Sequence, residues 1–427
     1  MSTIESLLSG VTREPRQILE RALAGEDLSV ADGVRLSAVR GRDTAALCLV
    51  ADELRRRQVG ERVTYVVNRN VNFTNVCIKT CRFCAFARGV RSEQGYFLPI
   101  EEVVRRVVQA KEHGATEVCI QAGLAPDTRP DTYLALCRAI HAAAPDVHIH
   151  AFSPEEVKFG AALSRLSIEE YLIALREAGL GSLPGTSAEI LDDAIRDRIA
   201  PHRIRTAEWI EVITTAHRLG IPTTSTMMFG HVESAEDRMK HLALLRSIQR
   251  ETGGFTELVP LSFVHAESPL FVKAEVPGVQ PGPTGQDVVR LYAIARLMVG
   301  ADIPNLQASW VKEGLRQTQA LLDCGVNDVG GTLMNESIST AAGATHGQLM
   351  TPATLRKIIR DSGRVPVERN TRYEPLRVFG PDPGGDPREP LDDVVDADAT
   401  FGSYDALAAD ARFHYEPRSA RRAHAAE

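Results

Sequence analysis

Cys77, Cys81 and Cys84 stand in a C-x-x-x-C-x-x-C spacing inside the stretch NRNVNFTNVCIKTCRFCAFAR, residues 68–88. Thiolates are soft, charged ligands, and three within eight residues are suited to one inorganic centre. Three readings stand side by side. Free cysteine is among the most buried residue types, so these could be packing thiols that happen to be neighbours. Structural zinc takes four ligands, usually as two Cys or His pairs, and no second pair with that spacing occurs in the chain. An iron–sulfur cluster usually takes four cysteines. Three would leave one iron open to a small molecule, as catalytic metal sites leave a position open.

Something must present this loop. Residues 66–74, rich in Val, Asn and Phe, predict a strand that ends just before the first cysteine. From about residue 61 onward, short apolar runs alternate with amphipathic helices, which is the signature of successive βα units. Strands are expected at 117–121, 147–151, 181–183, 222–228, 256–259, 305–308 and 326–329. Ser153-Pro154-Glu155-Glu156 and Ser167-Ile168-Glu169-Glu170 each read as a capped helix start. About eight such units in about 300 residues predict an α/β fold of the (β/α)8 TIM-barrel type. An open doubly wound sheet is the alternative, but no G-x-G-x-x-G follows a strand, and the P-loop pattern is also absent. Residues 1–60 predict a helical extension, 61–375 the barrel, and 376–427 a flexible tail. Residues 381–398 are rich in Pro, Gly and Asp and read as linker, 401–415 could dock as a short helix, and the basic run 418–422 reads as solvated.

The chain has 427 residues, 44% of them hydrophobic and 25% charged, with a net charge of −7. That balance argues against a general nucleic-acid binder, which needs a basic face. No run approaches the ~18 apolar residues of a membrane span. Four further cysteines, Cys48, Cys119, Cys137 and Cys324, lie scattered among apolar neighbours and read as packing thiols. A reduced, cytoplasmic setting is expected.

A parallel barrel carries its active site at the C-terminal ends of its strands, so polar residues just past each strand are the candidates. Gln121 and Gly123 form one such turn, or an ordinary βα connection. His148 and His150 alternate onto one face and could bind substrate, shuttle protons or simply be bonded in the core. Ser153 is most simply an N-cap. Glu189 and Arg203 together suit a zwitterionic ligand, or serve a helix dipole and the surface. His231 is expected at the cavity rim. Ser309 and Lys312 follow the seventh strand. Asn327, Asp328 and Thr332 offer donors and acceptors to a polyhydroxylated or uracil-like molecule, or make turns.

The cysteine spacing, with Phe83 just before the third cysteine, resembles the radical S-adenosylmethionine (SAM) enzymes. That resemblance implies a [4Fe-4S] cluster on Cys77, Cys81 and Cys84, with SAM on the open iron. It also implies SAM contacts from Phe83, Gln121, Gly123, Ser153, Glu189 and Arg203; Ala122 stands where a second Gly is usual. With EVCIQAGLAPD, DVHIHAFSPEEV, TTSTMMFGHVE, GFTELVPLSFVH, QASWVKEG and NDVGGTLMNESIS, residues 60–375 resemble the CofH-type component of FO synthase. The resemblance implies transfer of the 4-hydroxybenzyl group of L-tyrosine to 5-amino-6-(D-ribitylamino)uracil. A CofG-type partner and a reductant such as ferredoxin or flavodoxin would accompany it. The futalosine enzymes of menaquinone synthesis are the looser match, and a non-catalytic zinc-binding interaction protein is the remote alternative.

Overall fold

Nine strands carry the framework of the computed structural model, which describes residues 8–417. They are β1 Arg62–Val66, β2 Asn68–Val71, β3 Glu117–Ile120, β4 His148–Ala151, β5 Thr223–Phe229, β6 Phe255–Ser262, β7 Asp328–Gly331, β8 Val365–Arg369 and β9 Pro375–Val378. Helices alternate with the strands, so the fold is mixed α/β. The ladders β7–β1, β1–β8, β2–β3, β3–β4 and β5–β6 are parallel; only β8–β9 is antiparallel. Single parallel bridges extend the pairing: His150 to Ser182, Leu183 to Thr223, Leu258 to Leu306, and Gln307 to Asp328. The segments expected at 181–183 and 305–308 are therefore present as bridges without ladders of their own.

The strand expected over 66–74 is shorter and interrupted. It divides at Val67, because its neighbour changes there. β1 pairs with β8 through Arg62–Val365 to Tyr65–Glu368, whereas β2 pairs with β3 through Asn68–Glu117 to Val71–Ile120. The β8–β9 hairpin was not foreseen; Pro366 and Pro375 disguise it, since proline cannot donate to a ladder.

Local sequence signals set the helix starts that border the site. Ser153 and Ser167 each accept from the backbone three residues on, and Glu156 and Glu170 answer with reciprocal bonds to the cap. The leading helices Val30–Ser37 and Arg42–Val59 pack on the body through Ala235–Thr252 and Gly285–Val299, and Arg13–Leu23 packs on those two. A Cβ at Gly33 would lie 2.5 Å from the Met239 sulfur and 2.9 Å from the Met298 sulfur, so a larger residue there would displace both thioethers. All seven cysteines are free. No helix among the described residues is long and apolar enough to cross a membrane.

Up to residue 417 the segment expected as a flexible tail carries short elements with a few buried anchors. Short 3-10 turns form at Pro383–Gly385 and Pro390–Asp393, and helices at Ala397–Phe401 and Tyr404–Ala408. Leu391, Phe401, Tyr404 and Tyr415 are buried. The acidic residues that suggested a solvated linker instead pair with basic ones: Arg356 lies 2.8 Å from Asp386 and 3.4 Å from Asp392. Arg69 and Asn335 hold the carbonyls of Phe401 and Gly402. The basic run 418–422 lies outside the described residues.

Candidate active site

The cysteine loop leaves β2 and is tied down along its length. Gly123 N–H donates to the Thr74 carbonyl (2.8 Å), Cys77 N–H to Arg88 (3.0 Å), Ile78 N–H to Leu124 (2.9 Å) and Arg82 N–H to Ile199 (2.8 Å). The tail braces it from behind, where the Tyr404 hydroxyl donates to the Phe86 carbonyl at 3.1 Å. Cys77, Cys81, Cys84 and Phe83 line one cavity together with Gln121, Gly123, Ser153, Glu189, Arg203 and Lys312. Every residue that resemblance suggested for cluster or SAM contact thus faces one space.

Arg203 is the electrostatic centre of that space. Its guanidinium lies 3.3 Å from Glu189, donates to the Ser187 hydroxyl at 2.6 Å and to the Cys81 sulfur at 3.5 Å, and sits 5.5 Å above the Phe83 ring. Its Nε is buried without a hydrogen bond and faces the Glu155 carboxylate at 3.9 Å. Ser187 and Glu189 hold left-handed backbone (φ 64° and 42°), an uncommon conformation for such residues that marks a constrained segment. Arg196 pins it by donating to the Ser187 and Ala188 carbonyls.

Two carboxylates here exceed the sequence expectation. Glu155 lies 3.0 Å from Lys79 and accepts from Ile204 N–H at 2.6 Å, which ties the cysteine loop to the Arg203 segment. Glu156 accepts from Ala122 N–H at 2.9 Å, and burial pushes its carboxyl up to about 7. The capping pattern at 153–156 explained both residues locally and so masked their second role.

The donor set fits a cluster with one open iron. Three thiols and no fourth cysteine line the cavity, where the other sulfur is the Met228 thioether. Burial pushes the Cys81 thiol up to about 12 and raises Cys84, so these sulfurs need a bound positive centre to stay as thiolates. No three His, Cys, Asp or Glu side chains among the described residues converge on a single-ion position. Arg203 and Glu189, beside the thiols, offer opposite charges to the carboxylate and ammonium of an amino acid.

A second cavity adjoins the first and shares Gln121, Thr186, Thr226, Leu261, Lys312 and Ile338 with it. His150 and Ser309 line this one, as do Asn70, Glu117, Glu257, Gln307, Trp310, Glu336 and Arg369. Burial holds His150 neutral, its imidazole lowered to about 4. Burial also lowers the Lys312 ammonium, against the opposing pull of Glu336 and Glu313. Glu257, Arg369 and Tyr373 were missed because a contact across 116 residues, such as Tyr373 to Glu257, leaves no spacing signal.

Five expected residues line neither cavity. His231 is fully buried, 3.1 Å from Glu233 and 3.1 Å from the Met228 carbonyl, a core group instead of a rim residue. Asn327 accepts from Arg296 and Leu306 N–H. Asp328 holds Arg369 at 2.6 Å. Thr332 bonds the backbone of Asn68 in both directions, at 2.9 and 2.8 Å. His148 turns to the Ser182 hydroxyl at 2.7 Å, which His150 also contacts at 2.7 Å. Asn327, Asp328 and Thr332 spend their polar groups on joining strands, which is why they read as ligand donors in sequence.

Comparison with known proteins agrees with this geometry. Residues 71–245 match the radical SAM superfamily, and residues 252–380 match the CofH/MqnC C-terminal region. In structure the chain is similar to the FeFe-hydrogenase maturase HydG from Carboxydothermus hydrogenoformans, with TM-score 0.65 and 16% identity over 87% of each chain. It also resembles methylornithine synthase (PylB), with TM-score 0.57 and 17% identity over 78% of this chain and 88% of that one; both likenesses concern fold. In sequence it is 47% identical to the 5-amino-6-(D-ribitylamino)uracil–L-tyrosine 4-hydroxyphenyl transferase of Methanopyrus kandleri, over 85% of this chain and 97% of that one. It is 50% identical to the protein of that name from Archaeoglobus fulgidus, over 77% and 92%. The FO synthase of Mycobacterium tuberculosis is 49% identical across 81% of this chain, which spans 39% of that longer protein. With three thiols, an Arg–Glu pair and a polar chamber behind them, the chain belongs to the radical SAM superfamily and, within it, to the family of these tyrosine 4-hydroxyphenyl transferases.

Proposed function

We propose that the protein joins the 4-hydroxybenzyl group of L-tyrosine to 5-amino-6-(D-ribitylamino)uracil and releases 2-iminoacetate, a step in making the deazaflavin coenzyme FO. The observation that carries this is the pairing of a three-thiol cavity with a contiguous polar chamber. Cys77, Cys81 and Cys84 would hold the cluster, and Arg203 and Glu189 the amino acid part of SAM. When bound, that pair supplies a 5′-deoxyadenosyl radical able to take a hydrogen atom from tyrosine. Gln121, Thr186, Thr226 and Lys312 stand on the wall common to both cavities, where they would orient the tyrosine and the pyrimidine beside the reacting carbon. Apolar Leu261 and Ile338 on the same wall would exclude water, which protects a reactive primary radical.

With β1 and β2 taken as one strand, that strand, β3, β4, 182–183, β5, β6, 306–307 and β7 would close as a (β/α)8 barrel, a reading supported by the bridges that carry pairing from β4 through 182–183 to β5 and from β6 through 306–307 to β7. Residues 61–375 would form that unit, with the helices between 13 and 59 as an extension before it. A CofG-type partner would consume the adduct, and ferredoxin or flavodoxin would supply the electron. Seven free cysteines and an oxygen-sensitive cluster suit a reduced cytoplasm.

The test is an anaerobic assay of cluster-reconstituted protein with dithionite, SAM, L-tyrosine and 5-amino-6-(D-ribitylamino)uracil, read by mass spectrometry. The expected result is 5′-deoxyadenosine plus a hydroxybenzyl adduct that requires both substrates and disappears in C77A, C81A and C84A. 5′-Deoxyadenosine with no adduct would move the substrate toward the futalosine enzymes. No SAM cleavage in protein with an intact cluster would overturn the assignment.

A further inference from the structure

The second cavity is polar at its far end, away from the cysteines. Along β6, residues 257, 259 and 261 face it in turn, and only Leu261 also borders the cysteine cavity. Four residues of strand span roughly 13 Å, so Glu257 marks a floor about that far from Leu261, at the cysteine end of the common wall. There the Glu257 Oε2 accepts from Gln307 Nε2 at 2.7 Å and from the Tyr373 hydroxyl, and lies 3.6 Å from Arg369. All three contacts fall on Oε2, which leaves Oε1 for a ligand. Arg369 is itself fixed by Asp328 at 2.6 Å and lies over the Tyr373 ring at 3.9 Å.

We infer that this floor is the binding site for the polyhydroxyl side chain of the acceptor, with Glu257, Gln307 and Arg369 as its specificity-determining residues. The inference rests on the acceptor proposed above. Its logic is chemical. A hydroxyl both donates and accepts, so an open polyol is matched by a carboxylate acceptor beside amide and guanidinium donors. The pyrimidine ring must meet the tyrosine fragment at the common wall, so the unreactive chain has to run the other way, toward the floor. A site that pairs buried polar groups with substrate hydroxyls also rejects a molecule lacking them, because those groups would be left unpaired.

The test measures binding, not turnover. Cluster-reconstituted enzyme with SAM and no reductant, at pH 8, is titrated anaerobically with 5-amino-6-(D-ribitylamino)uracil and with 5,6-diaminouracil, which lacks the chain. The wild type is expected to bind the ribityl compound about tenfold or more tightly than the truncated one. Glu257→Gln should erase about tenfold of that preference and leave diaminouracil affinity within about twofold. Gln307→Met, which removes the amide donor to Glu257, should shift the preference in the same direction and serves if the Glu257 variant does not fold. Equal wild-type affinity for both compounds would overturn the inference, as would equal weakening of both in the variants. A wild type that binds neither compound would instead remove the proposed acceptor, and the inference with it.

Discussion

Replacing Gly123 with alanine adds one methyl group at the point where the 122–124 turn meets the cysteine loop. That Cβ would sit 2.3 Å from the Val76 carbonyl oxygen, 2.8 Å from its carbon and 3.2 Å from the Asn75 carbon. These are backbone atoms, so no side chain can rotate away, and the carbonyl must retreat by roughly 0.7 Å even to reach 3.0 Å. Bonds on either side, Gly123 to Thr74 and Ile78 to Leu124, oppose a simple parting of the two segments, so the shift passes to Cys77, the next residue. Overpacking of this kind costs about 1–3 kcal/mol in stability, and a displacement approaching 1 Å at reacting groups costs about 100-fold. G123A is therefore expected to form 5′-deoxyadenosine about 10- to 100-fold more slowly per cluster, with iron content measured alongside so that cluster loss is separated from misplacement. Gly123 lacks a left-handed φ, so alanine brings no conformational penalty of its own. Full iron content with wild-type cleavage would refute the claim that close approach here sets the loop.

Arg203→Lys keeps the charge but loses the planar fork that meets Glu189, Ser187 and Cys81 together; SAM affinity should fall about tenfold or more by equilibrium dialysis, with iron content unchanged. Tyr404→Phe removes the bond to Phe86 and should lower stability by about 1 kcal/mol in urea, while a chain ending after residue 396 should retain less iron after gel filtration. For Glu156, burial holds the folded carboxyl at about 7, above its unfolded value. Its contribution is therefore fully present below about pH 4.5 and lost as pH rises through 7, on the order of 3 kcal/mol in all. Between pH 5 and 8 the urea midpoint of Glu156→Gln should fall less than that of the wild type. His150, His217 and His241, all lowered to about 4 by burial, slope the other way but are common to both proteins, so the difference isolates Glu156.

What could be read in the sequence was whatever depends on near neighbours. The cysteine loop, the capped helices at 153 and 167, and the alternation of strand and helix all rest on spacings of a few residues. The position of Glu189 was legible because it follows a predicted strand, and that of Arg203 because it precedes a predicted helix start. Contacts between distant residues were not. Arg369 meets Asp328 and Glu257, and Tyr373 meets Glu257, through pairings that no local pattern encodes, so the Glu257 end of the second cavity was invisible. The same gap produced the opposite error at Asn327, Asp328 and Thr332, polar residues whose partners are other strands. In the tail, low apolar content suggested solvation, but Arg356 and Arg360 neutralise Asp386 and let it pack.

The divided first strand has a consequence for how the chain comes to be folded. Thr64 pairs with Asp328 on one side and with Val367 on the other, so neither edge of β1 has its partner until about 300 further residues exist. At about 5–20 residues per second, a ribosome takes roughly 15–60 seconds to deliver them. During that interval β1 is an unpaired edge, the kind of segment that recruits strands from other chains. Assembly of this protein is thus paced by synthesis of its far end, and yields should improve when translation and chaperone supply are matched to that wait.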